Sequence, residues 1–285
     1  MKVLITGSAG LLGKALIKLA PYDTQLILIY RNTIPIYDND KYQLIQYDLK
    51  NYIDLSVIKP DVVIHCAAEG NVDKIQQHTY LGVDCILNPT INIIKAVQEV
   101  NAKFIYISTN AVFDGKNPPY DDYASLCPIN SYGIFKAACE LAVQGSNIKH
   151  WNIIRPLLMY GWPNSGQRSN WVPTWIDKLN KKEICNVVYD VVSQPLYNVD
   201  CAIVIWKIIA SDYNKDIFNV AGATSCSLYE FAKIVAKEIS ADQHLIEPVP
   251  STFFKTIAPR PKDTSYSNNG IINKIKHNPI DIHEG

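Results

Sequence analysis

Residues 3–13 constrain the chain more than any other stretch. Val3, Leu4, Ile5 and Thr6 form an unbroken run closed by Gly7, and Gly10 and Gly13 follow at intervals of three. Such a run, without polar alternation, reads as a strand buried on both faces. Residues 11–19 then have helical spacing, and Pro21 stops them. Glycines between a strand and a helix let the backbone approach a bound group closely. The helix N-terminus adds free N–H groups and a partial positive charge. The third glycine allows tight packing of helix on strand. Alone, the motif is equally a Gly-rich turn with no ligand. With a strand before it and a helix after, it predicts a dinucleotide pyrophosphate site at Gly7, Gly10, Leu11, Leu12 and Gly13.

Further apolar runs at 26–30, 42–47, 61–66, 104–107 and 151–154 read as strands, and 87–100 and 132–143 as helices. Pro89 is expected in the first turn of the former helix. Regular alternation means a parallel sheet covered on both faces, because parallel strands need crossover connections. The expected class is therefore α/β, a Rossmann-type doubly wound parallel sheet with a smaller C-terminal substrate-binding lid. Residues 1–156 form the NAD(P)-binding domain, with about 190–215 returning to it, and 157–189 and 216–285 form the lid. Helices are expected at 172–179, 200–209 and 228–239, with an irregular tail beyond Pro248. Trp151, Trp162, Trp175 and Trp206 read as packing residues.

Ligands in such sheets bind at the carboxyl ends of the strands. Gly7, Arg31, Asp48, Ala67 and Thr109 all follow strand ends and should line one rim. An acidic residue after the second strand would bond a ribose 2′-hydroxyl. Arg31 stands there instead and predicts a 2′-phosphate, hence NADP(H) ahead of NAD(H), or else it is a surface arginine. Asp48 either accepts from an adenine amino group or caps the DLKN turn. Their neighbours Leu49, Cys66 and Ala68 complete the expected cofactor set.

Residues 104–140 hold the candidate chemistry. A strand ends in Ser108-Thr109, and a helix opens with Tyr132 and Lys136 one turn apart, on one face. The spacing is weak by itself, since Tyr37…Lys41 and Tyr229…Lys233 share it. Only Tyr132 follows the fifth strand at a spacing that returns it to the rim. A phenol is a poor acid near neutral pH, and a neighbouring ammonium draws its pKa down. Lys136 can also hold a nicotinamide ribose, and Thr109 can orient a substrate oxygen. The three residues are the expected catalytic set.

Formal net charge is zero, with no run of like charge, which argues against nucleic-acid or membrane-surface partners. Seven dispersed cysteines without C-x-x-C pairs read as reduced thiols. The six histidines lack zinc spacing, so no metal site is assigned. Without a signal-like or membrane-length apolar run, the protein is expected in the cytoplasm.

TGSAGLLG, HCAA (65–68), STNAVFDG (108–115) and YGIFK together resemble the extended short-chain dehydrogenase/reductase family. HCAAEGNVDK (65–74), PINSYG (128–133) and Arg260-Pro261 resemble its dTDP-4-dehydrorhamnose reductase branch, which also holds the regulatory beta subunit of methionine adenosyltransferase. The resemblance implies NADPH-dependent reduction of a nucleotide-linked 4-keto-6-deoxyhexose by Thr109, Tyr132 and Lys136. It further implies a substrate set of Glu69, Val72, Asn110, Asn170, Trp171 and Arg260. For Asn170-Trp171 packing stays open, and for Arg260 a surface salt bridge. Glu69 departs from the aromatic residue usual after Ala-Ala, and Pro89-Thr90 departs from the usual Gly-Thr. The alternatives are a non-catalytic NADP-binding regulatory subunit and a bifunctional epimerase/reductase. The second is disfavoured because Asn110 stands where the GDP-fucose synthase type has cysteine. The helix carrying Tyr132 often pairs in this family, which implies a homodimer.

Overall fold

The computed structural model describes residues 1–35, 42–163 and 169–285. Tyr37 and Lys41 lie outside the described residues. The first unit runs β1 (Lys2–Thr6), α1 (Leu11–Lys18), β2 (Gln25–Tyr30), β3 (Tyr42–Gln46), β4 (Val62–His65), α2 (Val72–Gln77), α3 (Tyr80–Gly82), α4 (Asn88–Val100), β5 (Lys103–Ile107), α5 (Ser131–Gln144) and β6 (Trp151–Pro156). Beyond it come β7 (Met159–Tyr160), α6 (Trp171–Asn180), β8 (Cys185–Val188), β9 (Val192–Ser193), β10 (Leu196–Tyr197), α7 (Asn198–Ala210) and β11 (Asp216–Val220). The chain closes with β12 (Cys226–Ser227), α8 (Leu228–Glu238), β13 (Ile246–Val249) and α9 (Asn269–Asn273).

Seven strands pair in the order β11-β6-β5-β4-β1-β2-β3. Every pairing in that sheet is parallel, so all carboxyl ends share one edge. Alternate residues of each strand feed opposite faces. Val3, Ile5, Ile64, Ile105, Ile107 and Phe218 pack under α1 and α7. Leu4, Ile29, Val63, Phe104, Tyr106 and Ile153 pack under α4 and α5. This double burial is why the strands lack polar alternation. A separate core of Trp175, Leu179, Val187, Leu228, Phe231 and Ile246 joins α6, α8, β8 and β13 into the lid.

Two sequence expectations differ, and one holds in a different setting. β11 pairs with β6 in the main sheet, so the returning segment extends past 215 through Val220. The polar residues around it, Asp216 and Asn219, hid a strand whose five residues are all buried. Pro89 stands in the first turn of α4, as expected, but the helical path does not begin there. The preceding residues from Tyr80 are already helical, and a π-turn at Val83–Leu87 leads directly into α4. Proline removes one backbone donor and clashes with the preceding turn, and a wider turn accommodates both. Trp162 is 60% exposed rather than packed, whereas Trp151, Trp175 and Trp206 are buried. Among the described residues no helix is long and apolar enough to cross a membrane.

The glycine turn explains the close meeting of β1, β4 and α1. Gly7 has φ +64°, and a Cβ on it would lie 2.7 Å from Ala67 N. A Cβ on Gly13 would lie 2.6 Å from Ser8 O and 2.7 Å from Gly7 O. These are backbone atoms and cannot step aside. At Gly10 the nearest atom is 3.2 Å away, and at Gly70 nothing lies within 4 Å. Alanine substitutions should therefore rank Gly13, then Gly10, then Gly70 in damage. Urea denaturation should give about 1–3 kcal/mol for Gly13→Ala and a shift near zero for Gly70→Ala.

Candidate active site

The strand ends assemble a cleft of about 390 Å³ along the carboxyl edge. Its lining includes Gly7, Gly10, Arg31, Asp48, Leu49, Cys66, Ala67, Ala68 and Glu69, all expected from sequence. Asn32, Thr33, Asp84, Cys85 and Pro89 also line it and were not expected. Asp84 and Cys85 reach the cleft because they sit in the π-turn. Leu12 and Gly13 do not line it. Leu12 is buried in the core, and Gly13 packs on the turn. Leu12 offers only its first-turn amide. Leu11 turns its carbonyl to Asn198 Nδ2 at 2.9 Å. No side chain caps α1, so its first-turn amides are not taken up by a capping residue.

The cradle fits a pyrophosphate: a Cβ at Gly7 would fill the space beside Ala67, and uncapped amides face the turn. Arg31 is exposed on the cleft and has no ion-pair partner among the described residues. The cations beside it are committed, Lys74 to Glu69 at 2.7 Å and Lys50 to Asp84 at 2.9 Å. Asp48 accepts from Lys50 N at 3.0 Å, so one of its oxygens closes the local turn.

Beneath the cleft, buried His65 links three elements. Thr90 Oγ1 donates to Ile86 O at 2.7 Å, so it accepts from His65 Nε2–H at 3.2 Å. His65 Nδ1 then accepts from Thr6 Oγ1 at 2.7 Å, and Thr6 Oγ1 accepts from Ala67 N at 3.3 Å. The chain thereby fixes the Ala67 amide at the rim. Burial, with Lys136 nearby, pushes the imidazole pKa down to about 3.

Thr109 ends the β5 segment and caps a 3-10 turn at Asn110–Val112. Its Oγ1 accepts from Ala111 N at 3.2 Å and donates to Asn110 Oδ1 at 3.3 Å. Asn110 Nδ2 in turn donates to Thr264 Oγ1 at 2.7 Å. The first turn of α5 packs directly on this turn. A Cβ on Gly133 would stand 2.1 Å from Ala111 O, so only glycine permits the approach. Asn130 caps α5 by accepting from Gly133 N at 2.9 Å. The first turn of α5, which carries Tyr132, therefore lies against the turn that Thr109 caps. Tyr132 is half-buried. Lys136 is 3% exposed, and its Nζ donates to Ile107 O at 2.6 Å. Burial lowers the Lys136 pKa to about 8, against the opposing pull of Cys139, Glu140 and Cys66.

One turn further along α5, Glu140 binds Arg155 of β6. Arg155 Nε donates to Oε1 at 2.9 Å and Nη2 to Oε2 at 2.6 Å, and both side chains are buried. Ser108 Oγ donates to the same carboxylate, so the hydroxyl pair divides: Ser108 goes to the core network and Thr109 to the rim. Glu140 and Arg155 were missed in the sequence. The available signal was a glutamate one turn beyond Lys136.

The expected substrate residues are spread more widely. Glu69 takes Asn71 N at 3.0 Å and Lys74, so its carboxylate is partly spent at the start of α2, where Val72 lies half-buried. Arg260 pairs with Asp73 at 3.0 Å rather than standing free, the salt bridge left open by the sequence. Asp73 also accepts from Ile257 N and Ala258 N, and Asn130 Nδ2 donates to Pro259 O. The tail is thus strapped across the starts of α2 and α5. Asn170 Nδ2 donates to Gly161 O at 2.7 Å, while its Oδ1 is buried without a partner among the described residues. Trp171 is 44% exposed. Tyr229 and Lys233 form only a local cation–π contact at 5.6 Å on α8.

A glycine cradle on β1 and a Thr-Tyr-Lys set at the end of β5 thus share one sheet edge. Residues 1–282 match the family model described as RmlD substrate binding domain. The chain belongs to that family. RmlD-family relatives include the dTDP-4-dehydrorhamnose reductase of Mycolicibacterium smegmatis, 27% identical over 270 residues, 94% of this chain and 78% of that one. Methionine adenosyltransferase 2 subunit beta of Bos taurus is 32% identical over 162 residues, 56% of this chain. The chain spans about half of that relative's length, 47%. A crystal structure of dTDP-4-dehydrorhamnose reductase from Bacillus anthracis in complex with NADP superposes with a TM-score of 0.83 at 29% identity, covering 99% of this chain and 96% of that one. These likenesses place the RmlD-family chain among the extended short-chain dehydrogenase/reductases, with a Rossmann-like sheet.

The buried imidazole sets a pH dependence. Its folded pKa of about 3 lies below the ordinary 6.5, so the unfolded chain binds the extra proton between those values. Stability from this group is therefore present above pH 6.5 and declines as pH falls toward 3, by at most about 1.4 kcal/mol per pH unit. Denaturation midpoints measured across that range should fall, and His65→Gln should flatten the slope.

Proposed function

We propose that this protein reduces a nucleotide-linked 4-keto-6-deoxyhexose with NADPH, as an enzyme of deoxysugar biosynthesis. The carrying observation is the packing of Gly133 on Ala111 O, which sets Thr109 beside the helix bearing Tyr132 and buried Lys136, on the edge that also carries the glycine cradle. The coverage of the reductase relative, and the NADP named with the Bacillus anthracis structure, support the substrate class and the cofactor. Exposed Arg31, unpaired among the described residues, supports NADPH over NADH.

Bound NADPH supplies the hydride. Gly7, Gly10 and the first-turn amides of α1 hold the pyrophosphate, Arg31 the 2′-phosphate, and Lys136 the nicotinamide ribose. Tyr132 gives its phenolic proton to the oxygen that becomes the C4 hydroxyl, and the Lys136 ammonium eases that release. Thr109 turns its hydroxyl from Asn110 Oδ1, a long bond of 3.3 Å, to the same oxygen. Its Oγ1 stays polarised by Ala111 N–H. Glu69, Val72, Asn110, Asn170 and Trp171 are the side chains for the sugar and base, and Arg260 is the diphosphate candidate. Exposed Ile134 and Leu141 on the outer face of α5 support a homodimer through that helix.

The regulatory-subunit reading has less support, because likeness to that relative covers 56% of the chain against 94% for the reductase. For epimerisation, Asn110 is no acid or base, and its amide already bonds Thr264.

Purified protein should oxidise NADPH in the presence of dTDP- or UDP-4-keto-6-deoxyglucose, and Tyr132→Phe should lower kcat by at least about 100-fold while keeping cofactor affinity. Intact NADPH binding with no turnover of either sugar would contradict the substrate, and a Tyr132→Phe variant at full rate would contradict the mechanism.

A further inference from the structure

Lys136 is an ammonium in a nearly anion-free place. The carboxylate one turn along its own helix, Glu140, is committed with both oxygens to Arg155 and also accepts from Ser108. The other groups facing Lys136 are the thiols of Cys139 and of Cys66, the latter pushed up to about 12 by burial, and the neutral His65. Tyr132, on the same helix, is the group Lys136 serves. Nζ donates to Ile107 O at 2.6 Å, and over it lies the ring of Tyr106 on β5, its centroid 4.3 Å away. An aromatic face carries the negative part of the ring quadrupole, and its attraction for a cation grows when water is excluded. Here both partners are buried.

We infer that the aromatic face of Tyr106 keeps Lys136 charged, which makes Tyr106 a positioning residue for the reaction. The hydroxyl takes no part. It is buried against the Cys139 thiol. The ring is held in place by His65, stacked at 6.1 Å with an interplanar angle of 26°, and by Phe104 at 6.4 Å. The Thr6–His65–Thr90 chain thus also serves the lysine: it keeps His65 neutral beneath Tyr106 and adds no second cation there. The effect on turnover rests on the proposed reductase reading; the charge on Lys136 does not.

The experiment titrates Lys136 directly. Protein isotope-labelled at lysine Cε is followed by NMR against pH, and the Lys136 signal is assigned by its loss in Lys136→Met. Position 106 is replaced by Phe, by a trifluorinated phenylalanine and by Leu. Phe keeps the face and drops the idle hydroxyl, so its titration should match the parent within a few tenths of a unit. The fluorinated ring keeps the shape but depletes the face, and should lower the midpoint by about 0.5–1 unit, with Leu at least as low. Because the fluorinated ring is nearly isosteric, the test survives a Leu variant that does not fold. Coincident titrations of the parent and the fluorinated variant would overturn the inference, as would a Phe variant shifted as far as the fluorinated one, which would assign the effect to the hydroxyl. An enzyme inactive toward both sugars but showing the graded shift would fail only the reductase reading.

Discussion

The buried pair between Arg155 and Glu140 organises the active half of the molecule. It joins β6 to α5, draws in Ser108 at the end of β5, and extends through Arg155 Nη1 to Asp122 O at 3.0 Å. Asn219 of β11 completes the network: its N–H donates to Asp122 Oδ1 at 2.8 Å and its amide to Asp121 O at 2.7 Å. One ion pair therefore ties two strands, the helix carrying Tyr132 and Lys136, and the loop before it. Such pairs add little net stability over an apolar core, yet losing one partner strands a charge and costs about 3–5 kcal/mol. Their use is to specify one arrangement. Glu140, Lys136 and Tyr132 lie one turn apart on α5, so the rotation that satisfies Glu140 also points Lys136 at Ile107 O.

Two other devices refine that placement. Gly133 lets α5 press against Ala111, which fixes the distance between the helix and Thr109. The His65 chain fixes the Ala67 amide beside the Gly7 turn. In each case a buried polar group is satisfied by the element it positions, so stability and site geometry rest on the same contacts.

Much of this was legible in the sequence. Strands buried on both faces show as apolar runs, and the Gly7-Gly10-Gly13 spacing announces its turn because only missing side chains permit it. The Thr109, Tyr132 and Lys136 assignment rested on order along the chain rather than on Y-x-x-x-K spacing, and Tyr229 shows why, since its own lysine makes a local contact only. What was hidden had a common cause. The role of Gly133 was not legible, because its neighbour Ala111 is distant in sequence. β11 carries buried polar residues whose partners lie on a distant loop. Pro89 does stand in the first turn of α4, and only the π-turn that leads into it was illegible. Arg260 looked available, and its partner Asp73 belongs to another element.

The most direct test of this account is Glu140→Gln, with denaturation, NADPH affinity and turnover measured on the same preparation. The substitution keeps the shape but turns one acceptor oxygen into an NH2 donor and leaves the Arg155 charge uncompensated. The expected result is a loss of about 3–5 kcal/mol in stability and a fall in kcat of at least about tenfold, equivalent to 1.4 kcal/mol, with NADPH affinity within a few-fold of the parent. A folded Glu140→Gln protein with parental stability and parental kcat would contradict it.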